Sequence, residues 1–304
     1  MAIPFKGVFP ILVTPFDETG DVDLVSFDRL IRFMAKIGVD GVTILGVLGE
    51  ANRMIDAERE ALIKTAVGAA EGRLPIVVGT SHSGTKATVL LSQQAEQIGA
   101  SGVMITPLQE PVPNEQRIFE YVQHVGKAIS IPIVLQDHPA STQVHMSVSL
   151  MLRMVSDIPR IACIKEEALP TPPKITALRH GLSRSVSILT GLGALYGGFD
   201  LERGADGFMT GFAFPEVLIG MVKAATEKRW DDLQAIYARY LPLIVYEQQP
   251  GVAIRKEIFR LRGLIQNNHV RHPGSSIDAE TAKQLFRVLK TSLSDVDLTK
   301  PLAI

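Results

Sequence analysis

The chain alternates short, continuously apolar runs with longer stretches whose apolar residues recur every three or four positions. The runs, rich in Val and Ile, cover 7–14, 41–45, 75–80, 102–106, 132–136, 161–165, 186–190 and 207–210. Being apolar on both faces rather than alternating, they predict buried parallel strands. The stretches between them carry helical spacing. Leu24, Phe27, Leu30, Ile31, Met34 and Ile37 share one face of 24–37, and Ala57, Ala61, Leu62, Thr65 and Ala69 recur at helical spacing through 57–70. Further helices are expected at about 85–98, 115–129, 147–156, 173–180 and 215–225. Strand then helix, eight times at intervals of about 25 to 35 residues, is the order of a (β/α)8 TIM barrel. An open doubly wound sheet is the alternative; the regular spacing and the lack of a long excursion between strands favour the barrel. Three more helical segments at about 230–246, 252–264 and 279–290 predict a C-terminal helical extension. The expected organisation is a barrel over 1–225 with helices over 226–304 packed on it as one structural unit.

Composition narrows the function classes. Of 304 residues 46% are hydrophobic, and the mean hydropathy of +0.19 excludes a mainly disordered chain. Lys plus Arg number 31 against 32 Asp plus Glu. That balance argues against a nucleic-acid binder or a polybasic membrane binder, while leaving room for a small anionic substrate at one local positive site. No uncharged apolar stretch approaches the length of a membrane span. Pro4, Lys6, Pro10 and Pro15 interrupt the N-terminal apolar residues, which do not read as a signal peptide. The single cysteine, Cys163, excludes an intramolecular disulfide and a Cys-rich metal cage, and fits a reducing cytoplasm. The histidines show no metal-ligand spacing; His269 and His272 form an HxxH in a polar loop without carboxylates. Gly191-Leu192-Gly193 with Gly197 lacks dinucleotide-binding spacing and reads as a turn into a helix. No metal and no cofactor are expected.

In a barrel of this kind the chemistry belongs at the C-terminal ends of the strands. Lys165 is the sharpest signal there. Strand parity puts Ile161, Cys163 and Lys165 on one face, so the lysine either reaches solvent at the rim, paired with Glu166 or Glu167, or sits partly desolvated. Desolvation disfavours an ammonium and makes an amine available as a nucleophile toward a ketone. Glu50 follows Gly46 and Gly49 in a tight turn and is either buried against a donor or a general acid/base. His82 shares a strand face with Ile76, Val78 and Thr80, and so points into the barrel if they do; a satisfied core or rim histidine is the commoner case. His138, after Gln136 and Asp137, is equally well a loop residue.

These fragments together resemble the dihydrodipicolinate synthase / N-acetylneuraminate lyase family, over roughly residues 5 to 295. The resemblance is carried by Gly7-Val8 with Thr14-Pro15-Phe16, Gly38-Val39-Asp40-Gly41, Gly46-x-x-Gly49-Glu50, Ile164-Lys165 and Gly204-Ala205-Asp206-Gly207. It implies a barrel, usually homotetrameric, in which Lys165 forms a Schiff base with a 2-oxo acid. The chain departs from the family pattern in three places. Val47 and Leu48 stand where two hydroxyl residues are usual, leaving backbone N–H groups to hold the substrate carboxylate around the Val47-Leu48-Gly49 turn. Gln136 stands where a catalytic tyrosine is usual, and an amide does not ionise. Pro107-Leu108-Gln109 stands where a second tyrosine is usual.

The run 131–141, Thr80-Ser81-His82, Leu241-Pro242-Leu243-Ile244 with Glu247, and Arg271-His272-Pro273 are similar to the L-2-keto-3-deoxyarabonate dehydratase branch, which also lacks the strand-five tyrosine. The expected activity is therefore dehydration of a 2-keto-3-deoxy sugar acid through a Lys165 iminium. Glu50 and His82 are the expected proton carriers, Gln136 orients a substrate hydroxyl, and Gly191 and Thr210 line the mouth. A pyruvate-dependent aldolase, a condensing synthase and a barrel that only binds a 2-oxo acid are the alternatives.

Overall fold

The computed structural model describes residues 5–109, 114–249, 251–294 and 296–304. Among them are eight parallel strands: β1 (Gly7–Val8), β2 (Val42–Ile44), β3 (Ile76–Gly79), β4 (Gly102–Ile105), β5 (Ile133–Asp137), β6 (Ile161–Glu166), β7 (Ser187–Thr190) and β8 (Gly207–Phe208). They pair in the order β1-β8-β7-β6-β5-β4-β3-β2. An isolated parallel bridge, Ile11 to Thr43, joins the two ends of this order, with Leu12 N–H donating to the Thr43 carbonyl at 2.9 Å. The architecture is thus the (β/α)8 barrel that the apolar runs predict. β1 is shorter than the expected 7–14, because Pro10 has no N–H to donate and the chain beyond it meets β2 at that single bridge.

The helices follow the predicted spacing closely. Leu24–Ile37 opens where the Asp23 side chain accepts from Ser26 N–H and closes at Gly38, whose φ of 78° is a left-handed cap. Glu115–Ala128 opens at Asn114 in the same way. Two helical pieces escape the periodicity: Pro139–Thr142 just after β5, and Gly197–Glu202 beyond the glycines that follow β7. Both are too short for an apolar face to recur. The extension consists of Trp230–Tyr246, Val252–Leu261 and Ala279–Ser292. No helix among the described residues is long and apolar enough to cross a membrane.

The core has two layers. Phe5, Phe9, Ile11, Val77, Met104, Val134, Cys163, Leu189 and Met209 fill the barrel interior. Val42, Ile44, Ile76, Val78, Val103, Ile105, Ile133, Leu135, Ile161 and Ile164 belong to a larger cluster with the surrounding helices. This division corrects two expectations of facing. On β3 the inward residue is Val77, whereas Ile76 and Val78 face the helices, so parity carries His82 away from the interior. On β6 Ile161 belongs to the outer layer and Cys163 to the inner one. The register explains why: Ile133 pairs with Ile161 but Val134 with Cys163, a bulge that leaves Ala162 over. After it the alternation is regular, and Lys165 follows Cys163 to the inside.

Candidate active site

Lys165 leaves the inward face at the C-terminal end of β6 and is 2% exposed. Its Nζ stands 2.6 Å from Oε2 of Glu167, itself buried. Glu167 is held from two other sides: Gln136 Nε2, inward at the end of β5, donates to the same Oε2 at 2.7 Å, and Leu192 N–H donates to Oε1 at 3.0 Å. Burial alone would raise the Glu167 carboxyl, but Lys165 beside it, with His138 and the Leu192 N–H, holds it below the usual carboxylate value. Gly191 makes the arrangement possible. A Cβ there would stand 2.1 Å from Glu167 Oε1.

The three side chains wall a cavity of about 130 Å³ that also exposes Val47, Leu48, His138, Thr210, Gln248 and Arg255. Burial lowers the His138 imidazole below its usual value against the pull of Glu167, and its Nδ1 meets Ser141 Oγ at 2.7 Å. A second cavity of about 340 Å³ shares Val47, Met104 and Gln136 and continues toward Arg59, Ser81, Thr106 and Ser141. In the turn after β2, Gly49 N–H and Glu50 N–H are taken by the carbonyls of Gly46 and Val47, both at 3.0 Å. The N–H groups of Val47 and Leu48 have no backbone partner among the described residues. The largest of these cavities, about 580 Å³, lies at the opposite end of the barrel around Gly7, Val8, Asp40 and Asp206, away from Lys165.

The structure therefore brings together Lys165, Gln136, Val47, Leu48 and Thr210, with Gly191 behind Glu167. Glu50 and His82 stand elsewhere. Glu50 is buried in left-handed backbone (φ 54°), its Oε1 at 2.5 Å from Lys256 Nζ and its Oε2 receiving Arg53 Nη1 at 2.8 Å and Arg271 N–H at 3.0 Å. It fastens the β2 turn to the C-terminal helices. Gly49 lies in that turn, its carbonyl accepting from Thr14 Oγ1 at 2.8 Å, outside the residues that line the Lys165 cavity. His82 lines a different cavity with Tyr121 and His124, and its Nδ1 accepts from Gly84 N–H at 2.9 Å. Lys165 is indeed paired with Glu167, but deep at the barrel mouth rather than on a solvated rim. Arg255 and Gln248 were out of reach of sequence patterns, since they come from the extension.

A parallel barrel with a buried lysine–glutamate pair at the C-terminal ends of its strands is the frame of a lysine-dependent lyase. The chain matches the model of the dihydrodipicolinate synthetase family over residues 4–292, and it belongs to that family. It is 35% identical over 291 residues to L-2-keto-3-deoxyarabonate dehydratase of Azospirillum brasilense, covering 94% of each chain. It is 32% identical to 4-hydroxy-tetrahydrodipicolinate synthase of Persephonella marina, covering 94% of this chain and 98% of that one. The crystal structure of dihydrodipicolinate synthase from Rhodopseudomonas palustris superposes with a TM-score of 0.91 at 36% identity, covering 96% of this chain and 99% of the other. Family membership places the protein among the class I, Schiff-base lyases and aldolases that act on small 2-oxo acids.

Proposed function

We propose that the protein dehydrates a 2-keto-3-deoxy sugar acid such as L-2-keto-3-deoxyarabonate, with Lys165 as nucleophile and Glu167 as proton carrier. The observation that carries this reading is the 2.6 Å contact between Lys165 Nζ and Glu167 Oε2 inside the cavity. As the amine adds to the C2 ketone, its proton passes to Glu167 along that contact. The carbinolamine then loses water to give an iminium. Glu167, again a carboxylate, takes a C3 proton and leaves an enamine. The enamine expels the C4 hydroxyl, protonated by Glu167 as it departs, leaving a C3–C4 unsaturated iminium; water at C2 then releases the lysine, and for a pentonate a proton shift from C5 to C3 turns the 5-hydroxy-3-ene acid into 2-oxoglutarate semialdehyde. One carboxyl group that accepts and returns a proton suffices for the steps on the lysine. Gln136, where the family resemblance places a tyrosine, supplies hydrogen bonds without a titrating proton, which suits orientation of a hydroxyl. The N–H groups of Val47 and Leu48, without backbone partners beside the same cavity, would hold the C1 carboxylate.

Reduction with borohydride in the presence of pyruvate should leave a stable mass adduct on Lys165, absent in Lys165→Ala. Incubation with 2-keto-3-deoxypentonates should give 2-oxoglutarate semialdehyde. Release of pyruvate instead would assign the retro-aldol cleavage, and no adduct with any 2-oxo acid would remove the Schiff-base reading.

A further inference from the structure

Arg255 is 4% exposed, yet it lines the Lys165 cavity, and the proton-transfer chemistry makes no use of it. Its Nε stands 3.0 Å from Glu247 Oε2, an ion pair without hydrogen-bond alignment. Among the described residues nothing accepts from its terminal nitrogens, Nη1 and Nη2. Space for the guanidinium is made by two glycines. A Cβ at Gly193 would come within 1.9 Å of Gln248 Nε2 and 2.9 Å of Arg255 Nη2, and one at Gly211 within 1.8 Å of Leu48 Cδ1 and 3.4 Å of Arg255 Nε. Lys165 lies near the end of β6, while Arg255 sits against Gly193 and Gly211 in the loops that follow β7 and β8, so two cations from different elements line one cavity.

We infer that Arg255 receives a second carboxylate at the end of the substrate away from the ketone, so that the site accepts 2-oxo diacids beside the hydroxymethyl-ended acid proposed above. This rests on the Schiff-base reading above and extends its substrate class. A planar guanidinium with its outer edge unpaired is the group that takes a carboxylate through two parallel hydrogen bonds. The C1 carboxylate already has the N–H groups of Val47 and Leu48, so the arginine is left for the other end.

Calorimetric titration with 2-oxoglutarate against 2-oxopentanoate, and 2-oxoadipate against 2-oxohexanoate, isolates the terminal carboxylate. Wild-type protein should bind at least one diacid about tenfold more tightly than its chain-matched monoacid, as expected for a hydrogen bond to a charged group. Arg255→Gln should collapse that ratio and Arg255→Lys should keep part of it. Equal wild-type affinities for diacid and monoacid would overturn the inference whether or not any variant folds. A loss in Arg255→Gln that is the same for pyruvate as for the diacid would overturn it too, assigning the arginine to the carboxylate beside the ketone. Lys165→Met separates the two readings: the diacid preference should persist there without an imine, whereas a wild-type protein that forms no pyruvate adduct fails the Schiff-base reading alone.

Discussion

Lys165 and Glu167 are two residues apart on one strand end, and that spacing is what lets both turn inward while Glu166 between them turns out. Glu167 is the residue whose chemistry is most directly testable. Glu167→Gln keeps the shape and a hydrogen bond to Gln136 but carries no exchangeable acid. Turnover of a 2-keto-3-deoxy acid should fall by about 10²- to 10⁴-fold, the usual worth of a positioned acid/base. Trapping of the pyruvate imine should slow as well, since the same carboxylate takes the amine proton. Full turnover in that variant would move the proton elsewhere, with His138 the next group on the cavity wall. At this scale Lys165 was legible in the sequence because a lysine that continues an apolar strand is a local anomaly. Glu167 was legible only as a partner for it, since β6 ends at Glu166 and the parity that sets Glu167 on the lysine's face holds only if the extended backbone runs one residue further. The bulge at Ala162, hidden by apolar residues on both faces of β6, decides instead that Ile161 does not share the inward face of Cys163 and Lys165.

At the scale of elements, strands and helices were largely legible and their facing was not. Parity puts His82 inside only if Ile76 and Val78 face inward, and the inward series runs instead through Val77 and Gly79, one residue out of phase. Contacts between distant elements were beyond reach for a different reason: they are set by tertiary packing. Glu50 is the instructive case, a carboxylate in a family motif that serves as an anchor. Its partner Lys256 is fully buried on the helix Val252–Leu261, and lies 4.1 Å over the Phe16 ring. Burial lowers that lysine to about 8 against the opposing pull of Glu50. Glu50→Gln leaves this ammonium buried without a counter-charge and should cost about 3–5 kcal/mol in urea unfolding. The double variant Glu50→Gln/Lys256→Met should recover a large part of the loss. If Glu50→Gln instead lowers turnover with the unfolding midpoint unmoved, Glu50 is a proton carrier after all.

For the whole molecule the buried acids set a pH response. On the outer side of the barrel Glu166 faces Asp137 across the β5–β6 ladder, with Lys174 Nζ 3.8 Å from Glu166 Oε1. Burial, reinforced by Asp137, pushes Glu166 up to about 8, and burial pushes Glu247 up to about 7 against Arg255. An acid raised in this way binds its proton more tightly in the folded chain. Its support for the fold is complete below the ordinary value of about 4.5 and is withdrawn as pH climbs through 7 and 8. The melting temperature should therefore fall by roughly 5–10 °C between pH 5 and 8.5, and Glu166→Gln should flatten the upper part of that decline. A Tm that rises over this interval would show that both acids are ionised in the folded protein throughout.

The helix Val252–Leu261 carries Arg255 and Lys256 side by side, one on the cavity wall and the other clasping the β2 turn through Glu50. Neighbouring positions on a single turn thus answer to two masters, ligand and scaffold. Transplanting this segment between relatives would alter appetite and cohesion in the same stroke, so a chimera cut here inherits both or neither.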